Sequence, residues 1–156
     1  MPQIETKYFG PVDYQPDSAF EFPEGLPGFE AERRWVFLER PDASPLLFMQ
    51  NVSRHDLCFL VLPVLVADPD YRLSLAQEEL DALRLPAGAD PEIGKDLLCA
   101  AVVCAGDETR PSPTVNLLAP IVVDLPARVG MQAILAGSGY SHRQPLFPVK
   151  DLVPCL

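Results

Sequence analysis

Apolar residues recur at every second position in short runs along this chain. Ile4-Glu5-Thr6-Lys7-Tyr8 alternates, turns at Gly10-Pro11 and resumes as Val12-Asp13-Tyr14, which predicts an opening hairpin. Further runs of strand character lie at 34–39, 46–50, 57–62, 97–105, 114–118, 119–125 and 129–136. Turns rich in proline, glycine and aspartate, such as 41–45, separate them. One stretch has a helical period, with Leu75, Leu80 and Leu83 on one face and Glu79 and Arg84 off it. Ser74, three residues before Gln77, fits a capping box, so the helix is expected to start after Ser74 and stop before Pro86. As an N-cap, Ser74 would be worth about 1 kcal/mol. The pattern predicts a mostly β protein: a small antiparallel β-barrel-like domain with one short helix.

Five runs (35–38, 46–49, 57–62, 97–103 and 121–123) are apolar on both faces. An antiparallel sheet with one wet face would alternate instead. A helix of ~10 residues spans only ~15 Å and cannot shield five strands. The sheet is therefore expected to close on itself, with loops as lids and a leftover apolar patch for docking.

The stretch 20–30 carries two dense turn signals, Pro23-Glu24-Gly25 and Pro27-Gly28, between Phe20/Phe22 and Phe29. A stiff corner with Phe29 buried is expected, and Gly28 is expected to need a conformation alanine tolerates poorly, by more than ~1 kcal/mol. Ala119-Pro120 should interrupt a strand, because proline donates no ladder hydrogen bond, leaving Ile121 and Val123 on one face. Asn116, beside that break, would bond free backbone groups or a partner.

Composition narrows the function classes. At 156 residues one domain is the simplest division, 1–147, with a tail at 148–156. The 18 prolines are spread between apolar runs and read as strand ends. The net charge of −10 disfavours direct nucleic-acid binding and favours a basic partner. Nothing near residue 1 resembles a secretory signal, and the longest apolar run, 57–67, is too short for the ~20 residues of a membrane span. A cytoplasmic location is therefore expected. Cys58, Cys99, Cys104 and Cys155 then read as reduced thiols.

Catalytic patterns are thin. His55 and His142 stand in no recognisable spacing with a nucleophile or metal partner, and Gly137-Ser138-Gly139 lacks the strand-to-helix context of a nucleophile elbow. Cys99 and Cys104, five apart on a strand, fall on opposite faces and cannot share a zinc. Asp68-Pro69-Asp70 reads as turn chemistry. No enzyme, cofactor or metal site is expected. A small-molecule-binding β-barrel or a general protein-interaction module is the alternative class.

Five blocks resemble the flagellar assembly factor FliW family in order and spacing. They are Thr6-Lys7-Tyr8-Phe9-Gly10, the run from Phe22 through Pro27-Gly28-Phe29, Asp68-Pro69-Asp70-Tyr71, the run from Asn116 through Pro120 to Val123, and Gln132-Ala133-Ile134-Leu135. The resemblance covers about residues 4–147. It implies a compact β-barrel-like fold without catalysis, and a partner switch. Such proteins bind the translational regulator CsrA, relieve its repression of flagellin mRNA, and bind flagellin as the alternative partner. No direct nucleic-acid or membrane contact is implied. Candidate partner-binding residues are Phe29, Asn51, Asp70, Tyr71, Asn116 and Pro120. The family resemblance also implies antagonism away from the RNA site. The dispersal of the acids agrees, since a phosphate mimic needs carboxylates at short regular spacing; the densest group, Glu78, Glu79 and Asp81, reads as a solvated helix face.

Overall fold

The computed structural model describes residues 3–86, 88, 91–106 and 112–146. Its strands are β1 (Gln3–Thr6), β2 (Gly10–Asp13), β3 (Phe20–Glu21), β4 (Arg34–Glu39), β5 (Leu47–Asn51), β6 (Cys58–Pro63), β7 (Leu97–Cys104), β8 (Thr114–Val115), β9 (Ile121–Asp124), β10 (Val129–Gln132) and β11 (Gln144–Pro145). Two short helices, α1 (Val64–Ala67) and α2 (Gln77–Ala82), separate β6 from β7. No helix among the described residues is long and apolar enough to cross a membrane.

The two-faced runs close into a barrel, as their pattern requires. Seven strands follow the order β7-β6-β5-β4-β3-β10-β9, and β9 pairs back onto β7. Closure leaves no edge along that circuit except beyond the single β3–β10 pair. The eight residues of β7 make it possible: Leu97–Ala100 pair with β9, and Val103 and Cys104 pair with β8, which carries β11 outward. One pairing departs from the antiparallel expectation. The β3–β10 contact is parallel and limited to Val129 opposite Glu21.

The two faces of these strands feed two cores. Inside the barrel lie Phe22, Trp35, Met49, Val61, Ala100, Ile121 and Val123. Ile121 and Val123 thus share a face, as the break at Ala119-Pro120 predicts. The Trp35 ring stands 6.5 Å from Phe22 and 5.8 Å from Phe59. Gly130 leaves room for the Phe22 ring, which a Cβ there would meet at 2.5 Å. Outside, Leu62, Leu97, Cys99, Ala101 and Val122 are covered by Val64, Tyr71, Leu83, Leu117, Leu135 and Leu146. The hairpin β1–β2 covers β5, setting Tyr8 and Phe9 5.4 and 5.1 Å from Phe48. Fully buried Gln50 locks this lid, its Oε1 accepting the Lys7 N–H at 3.3 Å.

Four local expectations need correction. The opening hairpin turns at residues 7–9, and Gly10-Pro11 belongs to β2, because Thr6 Oγ1 accepts the Phe9 N–H and donates to Gly10 O. Two helices form where one is expected; Pro63 ends β6 in ladder register and α1 makes a single turn after it. Ser74 is exposed and caps nothing. The cap of α2 is Ala76, whose N–H is taken by Glu79 Oε1 at 2.8 Å, so Ser74→Ala should be close to neutral. Phe29 is half-buried, at the barrel rim. The tail at 148–156, with Cys155, lies outside the described residues.

Candidate protein-docking groove

The corner 22–30 forms one wall of a surface groove. Gly25 N–H donates to Phe22 O at 2.8 Å and Phe29 N–H to Leu26 O at 2.7 Å, closing two successive turns. Proline at 27 and φ of +87° at Gly28 make the second a type II turn. These turns drop Leu26 into the barrel interior, where it is 4% exposed, and lay the Phe29 ring edge-on to Phe59 at 5.7 Å. The opposite wall comes from Val102, Cys104 and Ala105 on the end of β7, with Ser112, Thr114 and Asn116 around β8. Gln132, His142 and Arg143 complete the rim, and the groove encloses about 510 Å³.

The described lining of the groove differs in charge from the chain as a whole. Among the described lining residues no carboxylate occurs, and Arg143 is the fixed cation. In a chain of net charge −10, the described part of this surface is neutral to basic. Apolar walls with a cation at the rim suit an apolar segment that carries a negative charge.

Two of the six sequence-predicted residues, Phe29 and Asn116, lie on this groove. Asn116 also holds the strand break, its Oδ1 accepting the N–H groups of Leu118 and Ala119 at 3.2 and 3.0 Å. Pro120 is buried behind it, and its carbonyl accepts the Ala133 N–H at 2.9 Å. Asn51 is 1% exposed; its Oδ1 accepts Ser53 and Arg54 N–H while its Nδ2 donates to Arg34 O. Tyr71 is buried, donates to Leu117 O at 2.7 Å and stacks on Tyr140 at 4.4 Å. Burial pushes its phenol well above the ordinary range. Asp70 is exposed on the neighbouring turn, its N–H held by Asp68 Oδ1. Sequence reasoning missed Cys104, Gln132 and Arg143, which come from three distant segments with no shared spacing.

Burial raises the Cys58 thiol to about 11 and the Cys99 thiol to about 12, which keeps both almost wholly protonated near neutral pH. Cys104 is exposed, on the groove side of β7, away from the outer core that holds Cys99. Among the described residues, no three His, Cys, Asp or Glu side chains are grouped to hold a metal.

Comparison with known proteins places these features in a family context. A family model described as FliW protein matches residues 3–146. The chain is 36% identical over 145 residues to the flagellar assembly factor FliW of Desulfitobacterium hafniense strain Y51, covering 93% of this chain and 91% of that protein. It is 32% identical over 143 residues to the flagellar assembly factor FliW of Bacillus licheniformis, covering 92% and 95%. A crystal structure of the flagellar assembly factor FliW superposes with a TM-score of 0.82 at 28% identity, covering 94% of this chain and 98% of that one.

Proposed function

This chain belongs to the FliW family of flagellar assembly factors, and we propose that it acts without catalysis, by switching between two protein partners. In this reading it binds the translational regulator CsrA in the cytoplasm, relieves repression of flagellin mRNA, and is drawn off by flagellin as the alternative partner. The observation that carries the reading is the family match across nearly the whole barrel. Protein docking is favoured over a small-molecule barrel because Phe22, Trp35, Met49 and Ile121 fill the interior with no exposure.

Charge supports the first partner. An RNA-binding regulator presents a basic surface, and a chain of −10 speeds encounter with it. Mimicry of RNA by carboxylates is disfavoured. In the densest acidic cluster Glu79 is turned back onto Ala76 N–H, and Asp81 accepts from Gln77 Nε2 at 2.8 Å. Antagonism is therefore proposed to act away from the RNA-binding surface of CsrA.

The test is RNA binding to CsrA across a titration of this protein, with flagellin added in a second series. The expected result is a fall in maximal RNA binding that excess RNA does not restore, reversed by flagellin. Complete displacement of the protein by RNA would return the mimicry reading. Absence of binding to both partners would overturn the partner switch.

A further inference from the structure

The barrel has a gap beside the groove. Ala133 N–H donates to Pro120 O and Leu135 N–H to Leu118 O at 2.9 and 2.8 Å, extending the β9–β10 ladder past Gln132. In an antiparallel ladder alternate residues turn their amides to opposite edges, so Gln132 and Ile134 face away from that pairing. Their edge is the one β3 would fill, but β3 meets β10 only at Val129. Among the described residues nothing bonds the backbone of Ile134, and Ile134 is 63% exposed, the most exposed large hydrophobic described. Gln132 belongs to both features: its side chain lines the groove, held by Ala119 O at 2.9 Å, and its backbone borders the gap.

We propose that the Gln132–Ile134 edge and the adjoining groove together bind an extended peptide segment, which adds as a short strand and carries apolar side chains and a carboxylate. Strand addition supplies main-chain hydrogen bonds to the open edge, and the groove supplies selectivity for alternate side chains. Leu26, Phe29 and Phe59 would receive an apolar residue, and Arg143 the carboxylate. Charge selects the occupant. A basic RNA-binder gains nothing from a groove whose one fixed charge among the described residues is Arg143, so of the two partners proposed above the segment is flagellin's. This inference rests on that partner reading.

Unpolymerised flagellin from the same organism is the probe, and two measurements decide. Amide hydrogen exchange on the unaltered protein should slow about tenfold or more at Gln132 and Ile134 when flagellin is added. Ile134→Pro removes an N–H the fold does not use, and Arg143→Glu reverses the rim charge. Each should weaken flagellin binding about tenfold or more, with the melting temperature within a few degrees of the parent. Flagellin that binds with no protection at Gln132 and Ile134 overturns the proposal, whatever the variants do, and leaves the partner switch standing. Undiminished binding to two folded variants overturns it equally. Failure of flagellin to bind the unaltered protein would instead sink its part in the partner switch, and this proposal with it.

Discussion

Replacing Gly25 with alanine is the most discriminating test of the corner that walls the groove. Gly25 has φ of +64°, and a Cβ there would stand 2.5 Å from Phe29 O and 2.6 Å from Glu30 Cα and O. All three are backbone atoms, so no side chain can swing aside. The left-handed conformation costs a non-glycine residue about 1 kcal/mol. Relieving the overlap must also move Phe29 O, which accepts N–H groups from Leu26 at 3.4 Å and Glu32 at 3.0 Å. Losing those two hydrogen bonds adds about 2 kcal/mol, for a total of about 3. Gly28 is the control: its φ is +87°, but an added Cβ meets nothing within 4 Å, so only the conformational cost of about 1 kcal/mol remains. For a chain of this size the midpoints should fall by about 9 °C and about 3 °C respectively. The single tryptophan, Trp35, is wholly buried in the barrel and reports unfolding by fluorescence in a denaturant titration. A Gly28→Ala variant as unstable as Gly25→Ala, or a loss below about 1 kcal/mol at Gly25, would refute this account.

Gly130→Ala should destabilise by about 2 kcal/mol in the same titration, because its Cβ overlaps the Phe22 ring; adding Phe22→Leu should recover part of the loss. Asn51→Ala should cost about 2 kcal/mol, since two N–H groups and the Arg34 carbonyl lose a nearly buried partner; partner binding should persist once the variant is cooled well below its midpoint. Alkylation of the native protein at pH 8, read by peptide mass, should modify Cys104 well before Cys58 and Cys99. Those two are raised to about 11 and about 12, so each is almost wholly protonated at that pH. Rapid labelling of Cys99 would mean the outer core is open.

The barrel was legible because its signal is local and repeated. Strands β4, β6 and β7 follow from alternation and two-faced apolar runs, and closure follows because those faces need cover. Turn chemistry at 22–29 and the break before Ile121 were readable for the same reason: proline and glycine act on their own backbone. Local patterns were less informative wherever two segments compete for one group. Ser74 looked like a cap, yet Glu79 had already taken the N–H at Ala76, so the helix starts later. Gly28 has the positive φ its turn signal called for, yet the close backbone approach falls at Gly25, because only the folded loop brings Phe29 and Glu30 back over it. The groove lies furthest from local patterning. Phe29, Cys104, Asn116, Gln132 and Arg143 share no spacing and meet only because β7, β8 and β10 end at the same mouth of the barrel. Alternation along the chain by itself determined which residues lie in strands and that both faces of those strands would be buried. Tertiary structure alone decided which strand edge stays open and which side chains surround it, because long-range pairing sets register and distance, and neither is written in any one segment.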